Sequence, residues 1–222
     1  MCREFSVTEY MTEQEQIEQL KNWVKQYGMT VLTGVLIAAA CLFGWHSWQQ
    51  HQNKTLASAS YLYDNMLDQK NLHLNDKAKQ SAQQLIKNYT HTPYAQLAAL
   101  LMANFAVNEK KYEDAIERLD WVGKQTTSDS IKNIAILRTG RILLFQNKKQ
   151  EALKLLDRIQ TPAFATLKNA LKGDIYLSLN DPIKARNAYQ TAITAASTQD
   201  VTEKALLQMK IDNLTTVSDL IS

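Results

Sequence analysis

Gly173-Asp-Ile-Tyr-Leu-Ser-Leu-Asn-Asp-Pro-Ile-Lys-Ala-Arg-Asn-Ala-Tyr189 sets a small residue, a polar break, an alanine and an aromatic at fixed intervals. Asn180-Asp-Pro182 separates two apolar-periodic stretches, and a Pro just after an Asp is the chemistry of a helix start. Ala185 follows Gly173 by twelve residues and Tyr189 follows it by sixteen. The same intervals recur upstream as Ala103, Ala115 and Leu119, and as Gly140, Ala152 and Leu156. Successive copies are offset by 37 and 33 residues, and a fainter fourth copy centres on Ala78, 37 residues before Ala115.

Two helices with a turn, repeating at this spacing, match the period of about 34 residues of the tetratricopeptide repeat. In that repeat the small residue lets paired helices approach, and the large one fills the space between them. Gly173, Tyr176, Ala185, Tyr189 and Ala192 all fall where the repeat wants them, whereas Lys172 stands where a Leu is usual. Six Gly and three Pro in 222 residues are too few for a turn-rich β protein. Polar breaks at 69–71, 90–93, 108–111, 126–129, 147–149 and 180–182 bound amphipathic helices. The expected fold is all-α: a single N-terminal transmembrane helix followed by a solenoid of helical hairpins.

The transmembrane segment is residues 27–48. No Asp, Glu, Lys or Arg lies between Lys25 and Lys54, and a helix over 27–48 reaches ~33 Å, the thickness of a bilayer's hydrocarbon core. Trp23 and Tyr27 at one end, and Trp45 and Trp48 at the other, suit the two interfaces. Ala38-Ala-Ala-Cys41 also resembles a lipoprotein cleavage site, but Leu42-Phe-Gly-Trp45 continues the apolar run past it. Lys21 and Lys25 precede the span and Lys54 follows it, a basic bias that puts the N-terminus in the cytoplasm. The expected organisation is a cytoplasmic tail over 1–26, the span over 27–48, and a periplasmic domain over 49–222. Met11 is a second plausible start.

Nothing in the sequence assembles catalytic chemistry. No two glycines lie close enough together for a phosphate-binding loop, His46 and His51 do not share a helix face, and Cys41 falls in the apolar span. Neither cysteine lies beyond residue 48, which excludes an internal disulfide from the repeat region. Basic residues are dispersed, and the net charge of +3 is mild, so nucleic-acid binding is not expected. The chain is read as a non-enzyme without cofactor, metal or small-molecule substrate.

What remains is surface. Residues six and three before each small residue, and one and four after it, share a face of each first helix. These are Leu97, Leu100, Asn104 and Val107; Ile134, Leu137, Arg141 and Leu144; and Leu167, Ala170, Asp174 and Leu177. That face is the expected partner-binding groove for an unfolded apolar segment or an amphipathic helix, with Arg141 and Asp174 orienting it by charge. Residues 201–221 carry Ala205, Leu206, Met209, Leu214, Val217 and Ile221, an apolar face that either caps the stack or fills the groove.

Gly44-Trp45-x-x-Trp48, Ala57-Ser-Ala-Ser60, Ile136-Leu-Arg-Thr-Gly-Arg141, Leu171-Lys-Gly-Asp-Ile-Tyr-Leu177, Ala185-Arg-Asn-Ala-Tyr189 and Met209-Lys-Ile-Asp-Asn-Leu214, in that order, resemble the YfgM family of ancillary Sec translocon subunits. The likeness runs from about Met11 to the end. It implies an inner-membrane protein with a periplasmic repeat domain, found with the SecYEG translocon and the membrane-anchored foldase PpiD, giving chaperone-like help to unfolded exported proteins. The alternative expectation is a structural adaptor in envelope assembly, anchored as a lipoprotein if Cys41 is acylated.

Overall fold

The computed structural model describes residues 13–219, and these are helical with no strand among them. Helix α1 (Glu13–Asn71) runs unbroken for 59 residues, through Cys41. It is followed by α2 (Asn75–Asn88), α3 (Pro93–Asn108), α4 (Tyr112–Gln125), α5 (Asp129–Phe145), α6 (Lys149–Leu156), a single 3-10 turn (Pro162–Phe164), α7 (Ala165–Ser178), α8 (Pro182–Ala195) and α9 (Val201–Asp219). The chain divides into two compact units after Thr55.

In the first unit, α1 is the one described helix long and apolar enough to cross a membrane, and its apolar window is unburied. The hydroxyl of Thr33 donates back to the carbonyls of Met29 and Thr30, at 3.0 and 2.9 Å, so its polar group is satisfied inside its own helix. Exposed aromatic pairs bracket the apolar run. The Trp23 and Tyr27 rings lie 6.0 Å apart, and those of Trp45 and Trp48 lie 5.5 Å apart.

The second unit begins where α1 first acquires buried residues, at Ala59 and Met66. These cluster with Ala78, Ala82 and Leu85 of α2 and with Ala98 and Met102 of α3. The last turns of α1 therefore pair with α2 as a first hairpin, and the faint copy centred on Ala78 is a structural repeat. Hairpins α3–α4, α5–α6 and α7–α8 follow, and α3, α5 and α7 touch one another in turn.

All four hairpins close by the same device. His73, Lys110, Asn147 and Asn180 adopt left-handed backbone, with φ of 59°, 61°, 63° and 57°. In each turn the next residue's N–H reaches back five residues: Leu74 to Gln69, Lys111 to Ala106, Lys148 to Leu143, and Asp181 to Tyr176. The left-handed residue itself bonds three back, which completes a Schellman cap and satisfies two carbonyls left open at the helix end. Glycine is the usual residue for this conformation, and none of the four is glycine.

The change in offset from 37 to 33 residues reflects α6, eight residues long against fourteen for α4, partly offset by a longer connection before the 3-10 turn at Pro162. About one helical turn is lost. Three helix starts carry side-chain caps: Thr92 and Ser128 accept from Ala95 and Ile131 N–H, and Asp181 accepts from Lys184 N–H at 3.0 Å with Pro182 behind it. Lys172, the departure from the repeat, is ion-paired with Asp157 at 2.5 Å, which gives its charge a partner beside the core.

Small residues sit where helices come closest. Ala103, Ala115, Gly140, Ala152, Gly173 and Ala185 are all buried, and so is Tyr189, while Tyr176 is half-buried. At Gly173 an added methyl would overlap ring carbons of Tyr189, with Cζ only 2.8 Å away. At Gly140 it would meet Leu156 at 3.2 Å and Leu171 at 3.3 Å, a tight fit that flexible side chains can relieve. Gly173→Ala should therefore destabilise the chain by about 2–3 kcal/mol through overpacking, and Gly140→Ala by clearly less. Tyr189→Leu should remove most of the Gly173→Ala penalty in a double-mutant cycle measured by urea unfolding. Equal costs at the two glycines would contradict this geometry.

Candidate functional site

The first-helix face is built by α3, α5 and α7, and the structure sorts its residues into two groups. Leu100 and Leu137 are core, 5% and 4% exposed, in the clusters shared by α3–α4–α5 and by α5–α6–α7. They lie mid-helix, where neighbouring first helices cover one another, so neither side chain is available to a partner. Leu97, Val107, Ile134, Leu144 and Leu167 are half-buried, packed on these clusters while still showing a surface. Leu177 is 45% exposed.

Val107, Leu144 and Leu177 each lie one residue before the end of their helix. There the next helix no longer covers them, and an apolar row results. Phe145, the last residue of α5, is 72% exposed with its ring 5.2 Å from that of Tyr112 at the start of α4. The sequence pattern groups all four positions as one face, whereas the residue three before the small one is core (Leu100, Leu137) and the residue four after it lies at the helix end (Val107, Leu144, Leu177). Phe145 was missed because it falls outside the four positions considered.

The polar residues of the face also divide. Asp174 is half-buried and already engaged: its Oδ1 accepts from Tyr189 Oη at 2.7 Å and from Lys210 Nζ at 2.5 Å. Burial, and then the bond to Asp174, push the Tyr189 hydroxyl above its ordinary pKa. Asp174 thus ties α7 to α8 and α9. Arg141 and Asn104 are exposed.

Arg138, one turn before Arg141, was not singled out from the sequence. Its Nη1 donates to the Leu100 carbonyl of α3 at 3.1 Å. Its guanidinium pKa is lowered, first by burial and then by the like charge of Arg141. Both arginines line a cavity of about 280 Å³ with Ala103, Asn104, Val107, Leu119 and Ile142.

Helix α9 buries Leu207, Ile211 and Leu214, which cluster with Ala185, Tyr189 and Ala192 of α8. The expected face of Ala205, Leu206 and Met209 is turned outward, with Met209 61% exposed. The side chain of Val217 and the whole of Ile221 lie outside the described residues. α9 seats on the last hairpin through these buried residues, which cluster with α8 and not with Val107 or Leu144. Among the described residues no group of three or more His, Cys, Asp or Glu could hold a metal ion.

The model of a tetratricopeptide repeat-like domain family matches residues 21–216. The ancillary SecYEG translocon subunit of Aggregatibacter actinomycetemcomitans is 30% identical over 203 residues, covering 91% of this chain and 97% of that protein. The chain belongs to this family. Fellow members of the same name from Haemophilus influenzae and Escherichia coli are each 28% identical, over 91% and 92% of this chain and 97% and 98% of theirs. Among solved structures, MamA 41-end from Desulfovibrio magneticus RS-1 superposes with a TM-score of 0.51 at 19% identity, over 74% of this chain and 92% of that one. A MamA RS-1 double mutant gives 0.52 at 18%, over 72% and 96%. These two structures share the fold.

The split within the face gives a direct expectation. Leu137→Ser removes a buried side chain and buries a hydroxyl, and should cost about 3–5 kcal/mol. Leu177→Ser, at an exposed helix end, should cost less than about 1 kcal/mol. Urea unfolding of the two variants checks this, and a Leu177→Ser loss as large as that of Leu137→Ser would place both in the core.

Proposed function

We propose that this chain is a non-enzymatic, membrane-anchored accessory of the Sec translocon. Its repeat domain, residues 49–222, lies in the periplasm, and its tail, residues 1–26, lies in the cytoplasm. The observation that carries the reading is the match, over nine-tenths of the chain, to relatives named ancillary SecYEG translocon subunits.

Three physical features support it. The apolar stretch of α1 has aromatic pairs spaced for two membrane interfaces. The helix continues without a break past Cys41, which favours a span over a cleaved and acylated N-terminus. The half-buried Val107 and Leu144 and the exposed Leu177, at the ends of α3, α5 and α7, offer apolar surface to a partner, worth roughly 25 cal/mol for each Å² covered. By family resemblance the partners are SecYEG and the foldase PpiD, and the clients are unfolded exported proteins, for which the domain acts in a chaperone-like or scaffolding way.

Photo-crosslinking from positions 45 and 48 in living cells tests the assignment. Adducts with translocon subunits are expected, together with digestion of the repeat domain by protease added to spheroplasts. Reproducible absence of translocon subunits, with envelope-assembly proteins in their place, would favour a structural adaptor and overturn the proposal.

A further inference from the structure

The cavity between α3 and α5 combines an apolar wall with uncompensated positive charge. Val107, Leu119 and Ile142 supply the wall, Asn104 stands at its edge, and Arg138 and Arg141 both face it. Among the described residues neither arginine forms an ion pair, and no acidic side chain lines the cavity. Asp174, the acidic residue of the next first helix in the face, is already held by Tyr189 and Lys210. Arg138 spends one N–H on a backbone carbonyl, which fixes the position of its guanidinium while leaving its charge unneutralised. Two guanidiniums one turn apart, lacking a carboxylate, form a site whose complement is an anion able to accept two parallel N–H bonds.

We propose that this cavity binds a carboxylate carried on an apolar peptide segment, with the carboxylate on Arg138 and Arg141 and an adjacent aliphatic side chain on Val107 and Leu144. The inference rests on the reading of the first-helix face as the partner-binding surface, and adds to it the chemistry that this surface selects. Apolar contact supplies affinity, and the arginine pair selects segments with an acidic residue next to aliphatics. The carboxylate can belong to a side chain or to a chain terminus, since both present the same two oxygens.

The test uses the full chain in lipid nanodiscs, with empty nanodiscs as the blank, and fluorescein-labelled nonapeptides of Leu, Ala and Ser. One peptide carries a central Glu and an amidated end, a second carries Gln instead, and a third carries Gln with a free terminal carboxylate. Anisotropy titration should give about tenfold tighter binding for the Glu peptide, the third peptide, or both, than for the amidated Gln peptide, and the pattern assigns the carboxylate's source. Arg138→Gln combined with Arg141→Gln should reduce that ratio to about threefold or less, with helical content unchanged by circular dichroism. Because Arg138 also bonds α3, Arg141→Gln alone, at an exposed position, serves as the second variant and should lower the ratio in the same direction.

Equal binding of all three peptides to the native chain would overturn carboxylate selection while leaving the groove in place. A ratio unchanged in both variants would also overturn it, by placing the selectivity elsewhere. No binding of any peptide to the folded native chain would overturn the groove itself, and the inference with it.

Discussion

Each hairpin of the repeat domain depends on how closely two helices can approach, and that distance is set by one small residue against one large one. Gly173 against the Tyr189 ring is the tightest case, since no room for a methyl exists there. Gly140 against Leu156 is the same contact with an aliphatic partner. With these crossings fixed, a first helix must lie beside the next first helix, and the mid-helix leucines Leu100 and Leu137 are sealed between them. The ends of the helices are left uncovered. One recurring apolar feature of the surface is thus a by-product of the packing: Val107 and Leu144, half-buried, and Leu177, exposed, at the helix ends.

The same packing determines what the polar residues can do. Asp174 is drawn toward Tyr189 and Lys210, so it joins the last hairpin to α9 and no longer offers free charge on the face. Arg141 lies at the corresponding position one hairpin earlier, forms no ion pair among the described residues, and remains exposed. Two charged residues at equivalent positions of the repeat thus have different roles, decided by whether a further helix is present to engage them.

Much of the fold was legible because it rests on volume and periodicity, both of which sequence states directly. The intervals from Gly173 to Ala185 and Tyr189 identified the hairpin, and the polar breaks found the turns after α3, α5 and α7, whereas the break read at 69–71 falls in the last turn of α1, just before the turn itself. Other features were not legible. The four caps form on His73, Lys110, Asn147 and Asn180, where the expected glycine signal is missing. On α9, alternative apolar stripes are available, and tertiary contact with α8 chose Leu207, Ile211 and Leu214 over Leu206 and Met209. Whether a leucine of the first-helix face is core or surface depends on its distance from the helix end, which helical periodicity does not encode. Arg138 escaped notice because its role comes from a carbonyl on another helix, 38 residues away in sequence.

In a family of ancillary translocon subunits, with α1 long and apolar enough to cross a membrane, the surface proposed to hold a partner is the ends of α3, α5 and α7. Hydrogen–deuterium exchange of the full chain in nanodiscs, with and without SecYEG or a bound client peptide, tests this directly. Slowed exchange at the ends of α3 and α5, around Val107 and Leu144, with α9 unchanged, is the expected result. Protection confined to α9 or to the second helices α4, α6 and α8 would contradict a first-helix binding face.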